Sequence, residues 1–153
     1  MIKETEDRIE ELCQEFPEYH CILTIPDFGP DVSAKVLAAI GEPDRFQSGK
    51  QVLKMGGLDL SADRSGNTSE SAVPVISKKG NASLRYALYQ AALIASSKNS
   101  SIMRYYTTIL QGRERERGIK TKMRIKLAAK LLVIAWTLMK KEERFNPDHL
   151  KRD

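Results

Sequence analysis

Apolar residues recur at helical spacing through most of the 153-residue chain. In the first segment they fall on one stripe, acidic residues fill the other faces, and Pro17 follows as a breaker. The pattern predicts a polar helical stem over residues 1–19. Such a stem is either the end of a longer helix or coiled coil, or a helix that packs on a partner. The stripe consists of Ile2, Ile9, Leu12, Cys13 and Phe16.

A turn and a second helix are predicted next. Pro26 to Gly29 has the composition of a tight turn, and Pro30 suits the first position of a helix, where its missing N–H costs nothing. Gly41 closes this helix, and a shorter helix is predicted from about Ser48 to Met55. The core stripe of the second helix consists of Val32, Val36, Leu37 and Ile40.

Residues 58–80 change character, because polar residues and serines dominate and no core stripe continues. Val73–Ile76 is the only strand-like run, and Pro74 restricts it to an edge or an extended segment. Helical stripes then resume, with Asn99 as a cap between two of them. A long helix with outward lysines starts at about Thr121. The inward residues of these helices are Leu84, Leu88, Ala91, Ala95, Ile102, Tyr105, Tyr106, Ile109, Ile125, Ala128, Leu132, Ala135 and Met139.

The predicted fold is therefore mainly α. It is a helical domain over residues 20–142 with a long serine-rich loop and a long basic C-terminal helix. Residues 143–153 form a tail, which is expected to fray from Phe145 on.

The charge is unevenly distributed. Residues 1–20 carry a net charge of −5, whereas residues 113–153 carry +7, within a chain total of +5. A basic half suggests a surface for an anionic polymer, with nucleic acid as the first candidate. Charge alone does not separate this interpretation from a solvated basic helix.

Composition excludes several other classes. The longest apolar run, 131–139, is too short to cross a bilayer, and the charged N-terminus lacks the apolar core of a signal peptide. Two cysteines make no disulfide framework, so we expect a cytoplasmic protein that does not bind a membrane. Neither histidine has the spacing of zinc ligands, and no glycine pattern of a nucleotide site is present, so no metal or cofactor site is predicted in this chain.

The strongest local motif is the stretch Leu23–Leu37, which resembles a helix-hairpin-helix. In that motif a glycine-containing hairpin and the next helix N-terminus offer backbone N–H groups to a DNA phosphate. Gly29 occupies the second hairpin position, and Asp27 occupies the first. Aspartate tolerates positive φ, but its carboxylate would repel a phosphate. A corner used only for packing is the alternative.

Three further segments could contact or cleave nucleic acid. Ser65 lies between Arg64 and a glycine, so its hydroxyl could approach a phosphodiester while the arginine stabilises developing charge, although Ser-Gly is also ordinary loop composition. Lys78 and Lys79 precede a Gly-Asn turn and suit a backbone contact or a solvated turn, with Arg85 nearby. The third segment is the basic run, residues 113–130, whose members Arg113, Arg115, Lys120 and Lys122 are predicted phosphate contacts.

Taken in order, these segments resemble one family. They are Ile25–Pro30, Ile40–Phe46, Gly57–Asp59, Arg64–Gly66, Ile76–Asn81, Leu84-Arg85 and Leu127–Leu132. The sequence is similar to the C-terminal domain of the DEDD/serine insertion-sequence transposases, the bridge-RNA-guided family. The resemblance covers roughly residues 20–140, and the acidic stem corresponds to the end of the coiled-coil region that precedes this domain.

The resemblance implies a division of labour in DNA transposition. A resolvase-like N-terminal domain supplies acidic ligands for Mg²⁺, and the C-terminal domain supplies a serine that attacks the phosphodiester. Ser65 matches that serine, while Lys78, Lys79 and Arg85 fall in the basic motif that contacts nucleic acid. The implied partners are DNA, a guide RNA, and further copies or a full-length transposase.

Two features depart from the family pattern. Asp27 replaces a hairpin glycine, and Ala72–Val75 stands where a glycine usually precedes Ile-Ser-Lys. No resolvase-like half precedes residue 20, so Mg²⁺ is expected only with that domain, and we expect the chain alone to be inactive. The functional predictions are a transposase fragment that is completed in trans, or a stand-alone nucleic-acid-binding module without chemistry.

Overall fold

The computed structural model describes residues 2–59 and 81–151, and the regular elements in these two ranges are all helical. The predicted fold class, mainly α, is confirmed. Within these ranges, short 3₁₀ turns at Pro43–Arg45 and Pro147–Leu150 accompany seven α-helices. The serine-rich loop and the strand-like run Val73–Ile76 lie outside the described residues. The helices are α1 (Ile2–Cys13), α2 (Pro17–Ile22), α3 (Pro30–Ile40), α4 (Gly49–Gly56), α5 (Ala82–Lys98), α6 (Ser100–Leu110) and α7 (Ile119–Lys141).

Helix α7 forms the centre of the fold, and α2, α4, α5 and α6 all pack against it. Its predicted inward residues are buried, except that Ile125 is half-buried. The buried stripe is wider than predicted, because helices cover α7 from several sides and one apolar seam cannot face them all. The additional buried residues are Ile119, Met123, Leu127, Ala129, Leu131, Ile134, Trp136 and Leu138.

The predicted helix boundaries rest on identifiable caps. Ser48 precedes α4, and its hydroxyl accepts a hydrogen bond from the Gln51 N–H at 3.4 Å. The Asn99 side chain accepts one from the Ile102 N–H at 3.0 Å and so starts α6. Gly41 and Gly57 follow α3 and α4 with φ of 62° and 72°, a region that glycine enters without strain. These caps confirm the boundaries read from the sequence to within two residues.

Pro17 has a second role that the helical spacing did not predict. It ends the stem, but it also occupies the first position of α2, and Phe16 is the preceding N-cap residue. Proline suits that position because the first helical N–H has no intrahelical partner. Tyr19 and Ile22 of this six-residue helix are fully buried, so α2 is part of the core rather than a connection.

The prediction of a fraying tail from Phe145 is wrong for the residues that the structure describes. The Phe145 N–H donates to the Thr24 hydroxyl at 2.7 Å, which ties the chain to the α2–α3 corner. Asn146 and His149 then form a reciprocal capping box, and His149 and Leu150 are buried. Periodicity could not detect this segment, because one 3₁₀ turn is too short to show a stripe.

The stem is folded as a helix but contributes little to the core. Cys13 is buried, whereas Ile9, Leu12 and Phe16 of the same stripe are 46%, 55% and 49% exposed. The expectation that this face continues into a coiled coil or meets a partner stays a prediction. Nowhere in residues 2–59 and 81–151 is a helix both long and apolar enough to cross a membrane.

Candidate nucleic-acid interface

The hairpin between α2 and α3 is anchored from beneath by three buried side chains, those of Ile22, Ile25 and Phe28. Asp27 takes a left-handed conformation, with φ of 64°. Gly29 instead adopts an extended conformation as the N-cap residue of α3. The positive φ therefore falls on the aspartate, as the replacement of the first hairpin glycine predicted.

The electrostatics of the hairpin oppose a phosphate. Asp27 and Gly29 are both exposed at its tip. The first helical N–H groups of α3 lack intrahelical partners and would favour an anion. However, Asp31 lies in the same first turn, and Lys35 pairs with it at 3.0 Å. Two carboxylates and one paired lysine thus surround the N–H groups, which is a second obstacle that the motif alone did not reveal.

We predict that Asp27→Gly tightens DNA binding several-fold at low salt and that the gain shrinks as salt rises, because the gain comes from removing a charge. The same change removes the strain of a positive φ on a residue with a side chain, so the domain should also remain folded. Binding is measured by fluorescence anisotropy at several salt concentrations, and folding by thermal denaturation.

Asp27→Asn is the matched control for this prediction, since asparagine keeps the side-chain shape and tolerates positive φ. If charge is the cause, both variants bind more tightly than the wild type. Unchanged affinity in both would assign the corner to packing alone.

The two ends of the serine-rich loop are held at one corner of the fold. The Asn81 amide donates to the Met55 carbonyl, and Arg85 reaches the Gly56 carbonyl at 3.5 Å. The two side chains donate hydrogen bonds to carbonyl groups at the C-terminus of α4, which have no intrahelical partner. A Cβ on Gly57 would lie 2.5 Å from the Arg85 guanidinium, so the glycine permits this approach.

This geometry gives Arg85 a structural role, because its half-buried side chain joins α5 to α4. Asp59 and Asn81 are the last and first described residues on either side of the loop. Ser65, Arg64, Lys78 and Lys79 lie outside the described residues, and their assignment stays a prediction.

The first part of the basic run, residues 113–122, forms an exposed corner that consists of the turns before α7 and the first turn of α7 itself. Arg113, Arg115, Lys120 and Lys122 are all exposed. The Arg113 guanidinium binds Glu116 through two hydrogen bonds of 2.9 and 3.0 Å. This pairing raises the pKa of Arg113 and lowers that of Glu116, so both stay charged at neutral pH and largely cancel.

The corner is attached to the fold behind it. The Tyr106 hydroxyl donates to the Lys120 carbonyl at 3.1 Å, and the Arg124 guanidinium lies 5.5 Å from the Tyr106 ring centroid. Ile119 is buried. The net positive charge offered to solvent thus comes mainly from Arg115, Arg117, Lys120 and Lys122.

The hairpin and the basic corner do not form one patch. Thr24 in the hairpin bonds to Phe145, beyond the C-terminus of α7, while Lys120 begins that helix. Twenty-three helical residues span about 34 Å. The loop anchors lie between these ends, because a Cβ on Gly56 would meet the Leu132 side chain. The predicted contacts are therefore distributed along α7.

The side chains that could coordinate a metal ion are His, Cys, Asp and Glu. Residues 2–59 and 81–151 bring together no group of three or more His, Cys, Asp or Glu side chains that could hold a metal ion. The described residues thus do not fit the Mg²⁺ that the resemblance implies.

A family model described as "Transposase IS116/IS110/IS902 family" matches residues 19–107. This is more than half of the chain, and it includes most of α2, all of α3 to α5, most of α6, and the serine-rich loop. No curated protein and no solved structure matches significantly.

Proposed function

The chain belongs to the IS116/IS110/IS902 family of transposases, and we propose that it is the DNA-binding domain of an insertion-sequence transposase that works in the cytoplasm. The family match over residues 19–107 carries this proposal, because it includes the hairpin, the serine-rich loop and Arg85 in one continuous stretch. A role in transposition follows from the family. The assignments to individual residues are ours.

We assign to Ser65 the role of nucleophile. Its hydroxyl oxygen would attack a DNA phosphorus, form a phosphoserine bond, and displace a sugar oxygen, which takes up a proton. Arg64 would stabilise charge that develops on the phosphate oxygens. In the family resemblance, Mg²⁺ is held by a resolvase-like domain, and we expect the reaction only when such a domain is supplied.

We assign non-covalent DNA binding mainly to the corner that contains Arg113, Arg115, Lys120 and Lys122. The support is electrostatic. Residues 113–122 hold five bases and two acids, a net charge of +3, and these four side chains are exposed. Lysine and arginine neutralise phosphates and release counterions, which gives binding that depends little on sequence and strongly on salt.

Replacing these four residues together by glutamine should therefore flatten the salt dependence of DNA binding. For about four phosphate contacts, wild-type affinity should fall about a hundredfold between 50 and 200 mM salt. The quadruple variant should lose most of that slope. Arg113 should contribute least, because Glu116 already neutralises it. Anisotropy titrations with a labelled 20-base-pair duplex measure the slope.

A second quadruple variant controls for total charge. Lys54, Lys98, Lys141 and Arg144 are also exposed and lie on other parts of the fold. Their replacement by glutamine changes the net charge equally and should leave most of the slope. Equal losses in both variants would mean non-specific attraction to a basic protein. Absence of wild-type binding at low salt would overturn the proposed DNA-binding role.

A further inference from the structure

Two surface hollows, about 670 and 570 Å³ in volume, lie next to each other along α7, and we call the two together the groove. Tyr105 and Lys126 line both of them, so these residues mark the junction. The first hollow extends past α4 to Trp136, and the second extends past α6 to the 3₁₀ turn at Pro147–Leu150. None of the four basic-corner residues discussed above lines either hollow.

The rim of the groove is strongly basic. Asp59 is the single acid among the described lining residues. Within the described part of the chain, Lys50, Arg104 and Lys126 form no ion pair, and all three are exposed. Lys151 is paired with Asp148 only at 3.7 Å, on the exposed surface. The cations of the rim are Lys50, Lys126 and Lys130 around the first hollow, and Arg104, Lys126 and Lys151 around the second.

The floor of the first hollow is apolar, in contrast to its rim. Leu53, Leu58, Ala129 and Val133 line it, and the half-buried ring of Tyr105 closes it at the junction. A cationic rim over an apolar floor with an aromatic ring matches the chemistry of an unpaired nucleic-acid strand. Its phosphates need cations, and its bases need apolar or aromatic faces. A duplex would leave the floor unused, because its bases are already stacked inside.

We propose that this groove binds a single-stranded nucleic-acid segment. The phosphates lie along Lys50, Lys126 and Arg104, and a base stacks on Tyr105. The inference rests on the proposed nucleic-acid-binding function, but it names a second site and a different form of the ligand. Duplex is bound by the corner before α7, and the unpaired strand is bound in the groove. A single strand of DNA and one of RNA share this chemistry, so both are used as probes.

The chain provides its own reporter for the groove. Trp136 is the only tryptophan and lines the first hollow. Its indole N–H donates to the Pro43 carbonyl at 2.8 Å, which fixes the ring. A mixed-sequence 15-nucleotide strand should quench its fluorescence with a saturable dependence on concentration. The same strand in a duplex should quench it much less at the same degree of binding.

Three variants separate charge from stacking. Lys126→Ala and Arg104→Ala should each weaken single-strand binding about tenfold at 50 mM salt and reduce the salt slope by about one. Tyr105→Leu keeps an apolar side chain but removes the ring, so affinity should fall about tenfold with the slope unchanged. Lys98→Ala, at the exposed C-terminal residue of α5 and outside the groove, should change neither quantity. Circular dichroism verifies that each variant is folded.

The outcomes are distinct from those of the duplex experiment. If Lys126→Ala and Arg104→Ala leave the affinity for the 15-nucleotide strand unchanged, or if Lys98→Ala weakens binding as much as Lys126→Ala, the groove assignment is overturned while duplex binding can still hold. If polyglutamate of equal charge competes as effectively as unlabelled strand, the groove assignment is also overturned, because polyglutamate has no bases. Tighter binding of the DNA probe or of the RNA probe identifies which strand the groove prefers.

Discussion

Ser65→Ala is expected to abolish a covalent protein–DNA species that the unmodified chain forms when a resolvase-like domain of the same family is supplied by fusion or in trans. The reason is chemical, since the bond requires a hydroxyl oxygen as nucleophile and alanine has none. Denaturing gel electrophoresis with labelled DNA detects the species. Without the added domain, the purified chain should form no adduct, with or without Mg²⁺.

Neighbouring serines supply the controls for this experiment. Ser61→Ala, Ser69→Ala and Ser71→Ala lie in the same loop but do not match the Arg-Ser-Gly position, so each should keep the adduct. Non-covalent DNA binding should be nearly unchanged in all four variants. An adduct that survives Ser65→Ala would refute the assignment, and one that is lost only with another loop serine would move the assignment there. No adduct in any combination would make Ser65 an ordinary loop residue.

Leu132→Ala should have the largest effect on stability. Leu132 is fully buried in the central helix, and its side chain packs against α4 at Gly56. Removing a buried leucine side chain costs its transfer free energy and leaves a cavity, together about 2–5 kcal/mol. That is a large share of the 5–15 kcal/mol typical of a folded domain. Urea unfolding followed by Trp136 fluorescence and circular dichroism measures the loss.

Gly56→Ala tests whether the Leu132 side chain packs directly against position 56. A Cβ at position 56 would lie 2.8 Å from the Leu132 side chain, which is too close unless the leucine moves. In the Leu132→Ala background the same Cβ enters vacated space. The double variant should therefore be more stable than the sum of the two single changes predicts, by about 0.5–2 kcal/mol. Strict additivity would show that the two side chains do not meet.

Much of the helical organisation could be predicted from the chain. Local rules determined it, because caps and breakers act on their own neighbours. Pro30, Ser48 and Asn99 mark helix starts, Gly41 and Gly57 mark helix ends, and all five were identified at or next to their observed positions. The family resemblance was likewise present in the order of short motifs, and the family match over residues 19–107 confirms it.

The candidate sites could be predicted from the sequence only in part. The positive φ at Asp27 was predicted from the missing glycine, but the Asp31–Lys35 pair beside it was not considered. Likewise, the density of the basic run was visible, whereas the pairing of Arg113 with Glu116 was not. Counts of charge do not reveal which charges are already neutralised, because that depends on where the side chains point.

The helical fold class, most of the helix boundaries, the charge asymmetry and the family could be predicted from the chain alone. Those properties come from the spacing of residues along the chain and from local chemistry. Contacts between distant residues were needed to show that α7 is the central helix, that the Phe145 N–H ties the C-terminal segment to the α2–α3 corner, and that the hairpin and the basic corner are associated with opposite ends of α7. Each depends on contacts between residues distant in sequence, which periodicity cannot encode.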